Sequence, residues 1–439
     1  MIPQHLALLM MAMMILCIML GGHIGFILGG LAIIFGYIGY GSEILSMFPD
    51  RIFSVCISFP MEAVTLFIFM GVVLQASGIA ERLYHTFHVI FGGLKGGLLH
   101  ATIMLATLFA ACTGISGAAV VAMGLIALPS MLKAGYNKQV VAGVICSGGG
   151  LGVIIPPSIM LILYGPVAGI SVSKLFLAAI IPGLLLALGY FVYVVVICLL
   201  KPETAPPLKA SERAKYNWRL KAQMMLTSFV PTLGLIFAVL GSILFGIASP
   251  TEAAAVGAIG SLVICVGYGK LSWKTLKETC WFTIKTSAFI MMIVIGAGVF
   301  TSVFLGLKGG EALEGWILAA DLGKTGVVVL ILAIIFILGM FMDWVGILLV
   351  FVPVAVPIVD KFGIDPLWFA ILFCITLQLS YVTPPFSYSV FYLKGVAPPE
   401  VSLMDIYKGV LPFIPIQIVV LTSIYVIPGL ATWLANAVP

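Results

Sequence analysis

The run Ser147-Gly148-Gly149-Gly150-Leu151-Gly152-Val153-Ile154-Ile155-Pro156-Pro157-Ser158 decides how this chain folds. Four of its first six residues are glycine, and two successive prolines follow. Each glycine weakens a helix by about 1 kcal/mol relative to alanine, and each proline removes a helical hydrogen bond, so no continuous helix is expected to pass through. The flanks on both sides, Val140 to Cys146 and Ile159 to Val167, are apolar. The sequence therefore reads as a membrane-depth helix broken midway. Unwound backbone in hydrocarbon leaves amides and carbonyls unpaired, which is tolerated only where the backbone lines a protein cavity or holds an ion.

The rest of the chain agrees with a membrane setting. Of its 439 residues, 62% are hydrophobic and 8% are charged, against about 25% charged in a soluble domain. Runs such as Val327 to Met342 are apolar on every face, whereas strands of an outer-membrane barrel alternate. The expected fold class is an all-α polytopic membrane protein. The net charge of +5 comes from 21 Lys and Arg scattered among short loops, which excludes a nucleic-acid-binding face and reports membrane topology instead. The eight cysteines form no CxxC pair and read as small reduced core residues. The N-terminus lacks a basic leader region and reads as a first span, not a removed signal.

Shifting the sequence by 228 residues aligns its punctuation. Pro129 falls on Pro357, Gly135 on Gly363, Pro156-Pro157 on Pro384-Pro385, and the turn at Gly41-Ser42 on Gly269-Lys270. Two repeats are expected, at 1–200 and 223–439. Between them lies a basic linker, 201–222, with six Lys or Arg and three prolines, which the positive-inside rule places in the cytoplasm. Tracing outward gives five crossings and one re-entrant hairpin per half. That puts all but Arg51, Lys174, Lys308, Lys324 and Lys361 of the 21 basic residues inside. Five is odd, so the second repeat is inverted, an architecture associated with alternating access. The hairpins are expected near 98–132 and 326–359, and the broken spans near 139–167 and 367–395. The hairpin tips fall at Thr113-Gly114-Ile115-Ser116-Gly117 and Met342-Asp343-Trp344, and the second break at Ser380-Tyr381-Val382-Thr383-Pro384-Pro385.

A tip facing a break can surround a dehydrated cation with carbonyl oxygens, while the amino ends of half-helices favour an anion. Cation and anion can thus share one cavity. Three acidic residues interrupt apolar stretches. Glu62 follows Pro60 and Glu252 follows Ser249-Pro250-Thr251, so both read as first-turn acids; Asp343, at the second tip, reads as a neighbour of a bound cation.

The residues Gly150 to Ser158, then Leu163-Tyr164-Gly165 and Lys174-Leu175-Phe176 to Pro182-Gly183, resemble the large membrane subunit of the TRAP (tripartite ATP-independent periplasmic) transporters. Ser116-Gly117, Gly246 to Ala253 and Thr383-Pro384-Pro385 resemble further motifs of that family, and the likeness runs from about residue 5 to 435. It implies an elevator-type secondary transporter of the bacterial inner membrane, driven by a Na⁺ gradient and importing an organic anion such as a carboxylate or sulfonate. The implied partners are a periplasmic substrate-binding protein and a small four-helix membrane subunit, the latter a separate chain. No cofactor is implied beyond Na⁺ as coupling ion. The family pattern places one Na⁺ between Ser116-Gly117 and the backbone of Gly152, Ile155 and Pro157. The repeat offset carries the second to Ser380, Thr383 and Pro385, facing Asp343. Thr113, Ser158 and Ser387 are the expected substrate contacts. Gly117 is followed by Ala118 where many members of the family have serine, which leaves backbone coordination at the first tip.

Two other classes compete. Asp343 as a proton carrier would make the chain a proton-coupled antiporter. Gly114-Ile115-Ser116-Gly117 fits the GxSG motif of rhomboid intramembrane proteases, but His100 begins the same hairpin and only His23, at a turn between spans, is left as an awkward base, and that reading leaves the second half unexplained. No GxxxxGK[ST] loop supports an ATP-driven pump.

Overall fold

A computed structural model describes residues 3–114, 116–207 and 216–437; the side chain of Thr113 and residue 115 lie outside the described residues. The first half contains α1 (Pro3–Met19), α2 (Ile24–Tyr40), α3 (Ile44–Cys56), α4 (Phe59–Ala76) and α5 (Ile79–Phe91). It continues through α6 (Gly97–Thr113), α7 (Ser116–Lys133), α8 (Lys138–Gly150), α9 (Ile159–Ala168) and α10 (Val172–Leu200). The second half contains α11 (Trp218–Leu244), α12 (Pro250–Gly267), α13 (Trp273–Gly306), α14 (Gly309–Ala319) and α15 (Gly323–Gly339). It closes with α16 (Trp344–Lys361), α17 (Pro366–Val382), α18 (Tyr388–Val396), α19 (Leu403–Val410), α20 (Phe413–Val426) and α21 (Gly429–Ala437). Among the described residues there is no strand, and nine helical stretches are long and apolar enough to cross a membrane. The protein is a multi-pass, all-α integral membrane protein.

Local chemistry sets the helix starts. The Asn137 side chain accepts the Gln139 and Val140 N–H groups at 2.9 and 3.3 Å and opens α8. Asp365 does the same for Leu367 and Trp368 at 2.8 and 3.0 Å and opens α17. Asn and Asp are strong caps because their side-chain oxygens satisfy amides that have no partner within the helix. Ser249 and Glu252 form a capping box at α12, and Glu62 sits in the first turn of α4. One expected boundary moves. Asn217 accepts the Leu220 N–H at 2.8 Å and starts α11 at Trp218, inside the segment read as linker. The linker's opening turn, Pro202–Thr204, is tied down: Thr204 accepts the Asn137 N–H at 2.8 Å and Ala205 accepts the Gly96 N–H at 3.0 Å. Lys209, Arg213 and Lys215 of the linker lie outside the described residues.

Packing is reciprocal between the halves. Helix α2 lies along α13 and α12 along α4, while α7 packs on α18 and α16 on α9. The bounds of the hairpins' second arms, Ser116–Lys133 and Trp344–Lys361, are 228 residues apart at both ends. One pair differs. Where the first half bends at Ile57-Ser58 between α3 and α4, the second half runs through as the single 34-residue helix α13.

Candidate functional site

The glycines do not interrupt α8. Ser147 to Gly150 stay helical, a tight turn follows at Leu151–Val153, and a bent segment over Ile154 to Pro157, closing with Ser158 in an extended conformation, leads into α9. The glycines serve packing instead. A Cβ on Gly149 would lie 2.4 Å from Val120 Cγ2 and 2.9 Å from the Val120 nitrogen, so only glycine lets α8 approach α7 this closely. The prolines make the break, because proline ends an amide ladder whatever surrounds it. Likewise α17 stays helical through Ser380, Tyr381 and Val382 and stops at Thr383-Pro384-Pro385. Both Pro-Pro peptide bonds, 156–157 and 384–385, are cis.

The structure brings the first tip onto the first break. Gly114 has φ +60°, and a Cβ there would stand 2.9 Å from the Pro157 carbonyl oxygen and 3.2 Å from the Ile159 nitrogen. Ser116 begins α7 and is buried, as are Gly152, Ile155, Pro157 and Ser158. Among the described residues no hydrogen bond reaches the Ile155 or Pro157 carbonyl. The Ser158 hydroxyl donates to the Val153 carbonyl at 2.5 Å, so its own oxygen keeps its acceptor capacity. Gly117 is wedged by the other half: a Cβ there would lie 2.9 Å from the ring of Tyr392 on α18.

The second tip meets the second break through different chemistry. Asp343 caps α16, its Oδ2 accepting the Val345 N–H at 3.1 Å, and its Oδ1 accepts the Tyr381 hydroxyl at 3.4 Å. Tyr388 donates to the Phe341 carbonyl at 3.2 Å. Ser380 and Thr383 donate to Leu377 and Leu379 carbonyls at 2.6 and 2.7 Å, as hydroxyls in a helix end do. The Pro385 carbonyl accepts the Tyr407 hydroxyl at 2.8 Å, so one of its two lone pairs is already engaged. The Ser387 hydroxyl is buried and has no hydrogen-bond partner among the described residues.

Sequence reasoning missed the tyrosines. Tyr381, Tyr388, Tyr392 and Tyr407 line both tips and the second break, and their spacing carries no signal that would separate them from core aromatics. The protease alternative finds no support in the fold. His100 lies near the start of α6, with its Nδ1 2.8 Å from the Gly96 carbonyl oxygen, whereas Ser116 lies beyond the helix's far end, roughly 20 Å away along the axis. His23 packs edge-on against Phe26 and Phe289. Neither contact set includes Ser116, which leaves the serine without the awkward base that reading needed.

Comparison with known proteins places this geometry. Residues 11–430 match the family model for the tripartite ATP-independent periplasmic transporter, DctM component. A C4-dicarboxylate TRAP transporter large permease protein of Vibrio cholerae is 30% identical, over 85% of this chain and 84% of its own. An isethionate TRAP transporter permease protein of Oleidesulfovibrio alaskensis is 30% identical over 93% of this chain, which spans 63% of that longer protein. A sialic acid TRAP transporter permease protein of Haemophilus influenzae is 27% identical over 86% of this chain and 60% of its own. In fold, the YdaH transporter of Alcanivorax borkumensis superposes with a TM-score of 0.64, covering 99% of both chains at 15% identity. With a family match over nearly its whole length and an all-helical membrane fold, this chain belongs to the DctM component of the tripartite ATP-independent periplasmic transporters, a family of transport proteins and not of enzymes.

Proposed function

We propose that this protein imports a small organic anion across a bacterial inner membrane, driven by a Na⁺ gradient. The observation that carries the reading is that each half brings a hairpin tip against its own broken helix, with Gly114 against Pro157 and Asp343 against Tyr381. Backbone oxygens so arranged match a dehydrated cation, and the amino ends of α9 and α18 beyond each break favour an anion beside it. Ser116, Gly117, Gly152, Ile155 and Pro157 would form the first Na⁺ site. Asp343, Ser380, Thr383 and Pro385 would form the second, with Ser158, Ser387 and Thr113 toward the substrate. The relatives named for C4-dicarboxylates, isethionate and sialic acid support an organic anion as cargo. A small membrane subunit and a periplasmic binding protein complete the proposed system.

In this reading the two halves, 1–200 and 223–439, are inverted repeats. The hairpins and broken helices move as one body against α1–α4 and α11–α13, since one cavity cannot face both sides of the membrane at once. The test is uptake into proteoliposomes holding both membrane subunits, with loaded binding protein outside. An inward Na⁺ gradient should drive uptake with at least two Na⁺ per anion. Uptake at full rate without Na⁺, driven by a proton gradient, would overturn it in favour of proton coupling through Asp343.

A further inference from the structure

Helix α13 is too long for the membrane it crosses. Its 34 residues span about 51 Å at 1.5 Å per residue, whereas the hydrocarbon core is about 30 Å thick. Its charges show where the excess lies. From Thr286 to Gly306 there is none, a stretch of about 31 Å, and all of the helix's charged residues, Lys274, Lys277, Glu278 and Lys285, sit in the first thirteen positions. The part 273–285 therefore stands at the membrane surface, on the cytoplasmic side in the topology proposed above. The equivalent stretch of the first half is a separate helix, α3, because the chain bends at Ile57-Ser58.

Along this surface segment Trp273, Lys277, Trp281 and Lys285 recur every four residues, which stacks them on one face. All four are exposed, Trp273 by 80% and Trp281 by 59%. The face opposite is occupied: Thr275, Thr279 and Phe282 line a cavity with Val72, Gln75 and Ala76 of α4. The stripe thus points away from the protein. Lys285 turns back along the helix and holds its ammonium 5.0 Å from the Trp281 ring centroid, so the deepest charge is carried toward the surface. Lys270, just ahead of the helix, adds a further positive charge, and Glu278, which pairs with Lys274 at 4.0 Å, is the segment's one acid.

We propose that this stripe binds anionic phospholipid headgroups, with lysine ammonium groups holding the phosphates and the two indoles seated at headgroup level between them. Tryptophan suits that depth because its ring is apolar and its N–H seeks a polar partner. A lysine near an anionic leaflet contributes enough that losing two should lower the preference for an anionic over a zwitterionic lipid by roughly tenfold or more.

The test uses the full chain in phosphatidylcholine nanodiscs doped with brominated phosphatidylglycerol or, separately, brominated phosphatidylcholine. Emission of Trp281 is taken as the difference from Trp281→Phe, and the measurement is repeated with the small membrane subunit present. The anionic quencher should be the more effective at equal mole fraction, and Lys277→Gln with Lys285→Gln should erase the difference while Lys277→Arg with Lys285→Arg keeps it. Equal quenching by both lipids overturns the proposal, as does a preference that survives the glutamine pair. If the small subunit shields Trp281 from both lipids, the face is a protein interface and the proposal also fails. None of these readouts depends on substrate or Na⁺, so they can fail while the transport reading stands.

Discussion

The two helix breaks share a Pro-Pro core and differ in almost everything around it. Residues 151–158 of the first are all buried, with Ile155 only 8% exposed under α10, where Gly183 lets the helix close over it. In the second break Pro384, Pro385 and Phe386 are exposed, Phe386 by 53%. The tips explain the contrast. The first tip offers glycine at 114, which lets the turn settle directly on the Pro157 carbonyl; the position 228 residues on is Met342, and Asp343 follows, so the second tip stands off behind side chains. A sealed site must rely on backbone oxygens already in place, whereas a more open site has room for a carboxylate, which a bound cation can then balance as countercharge. The same motif can therefore hold its proposed cation in two chemically different ways.

Four experiments would break or sharpen that contrast. Gly114→Ala should have the largest effect. A non-glycine residue at φ +60° costs about 1–2 kcal/mol, and the new methyl would press on the Pro157 oxygen, so uptake should fall by roughly tenfold or more. Met342→Leu, at the equivalent position of the second tip, conserves volume and should transport nearly as well as the unmodified protein. Equal tolerance at both positions would remove the distinction between the tips.

Gly149→Ala asks whether the glycines of the first break serve packing. If they do, the added methyl overpacks against Val120 and destabilises by about 1–3 kcal/mol, lowering the thermal unfolding midpoint in detergent. The opposite sign, a higher midpoint from better helix propensity, would mean that Val120 yields and that close packing is not why glycine stands there.

Asp343→Asn keeps the cap on α16, since asparagine caps as well as aspartate, and removes only the charge. The Na⁺ concentration for half-maximal uptake should rise several-fold, as expected for about 1 kcal/mol at a partly buried site. Ser116→Ala, at the backbone-lined first site, should leave it unchanged. A reversed pattern would exchange the proposed characters of the two sites.

Tyr381→Phe should be smallest. It deletes a 3.4 Å hydrogen bond to Asp343, at the weak end of the about 0.5–1.5 kcal/mol range, and should shift apparent Na⁺ affinity by no more than about threefold. A larger loss would place the Tyr381 hydroxyl in direct contact with cargo.

How much of this was legible in the sequence depends on how local the cause is. Apolar runs of membrane length, the Pro-Pro stops, Asn137 and Asp365 as caps, and Ser249 with Glu252 as a capping box are all dictated by residues within a few positions of one another. The glycine run misled for the same reason. Propensity counts Gly148 to Gly150 against a helix, but burial against Ala106 and Val120 keeps them in one, and that benefit comes from residues about 30 to 40 positions away. Asn217 was hidden inside a segment whose charge and prolines read as linker throughout.

Composition and punctuation by themselves determined that the chain lies in a membrane, that it is helical throughout its apolar runs, and that the Pro-Pro pairs interrupt two of its helices, because hydropathy and the missing amide of proline act through the local backbone. Only the tertiary structure decided which tip sits on which break, that Tyr392 of one half wedges Gly117 of the other, that the Pro385 carbonyl is taken by Tyr407, and that one break is sealed while the other is open. Those are contacts between segments far apart in the chain. Their partners are selected by shape and by the pairing of polar groups in a close-packed interior, and no local pattern of residues encodes that choice.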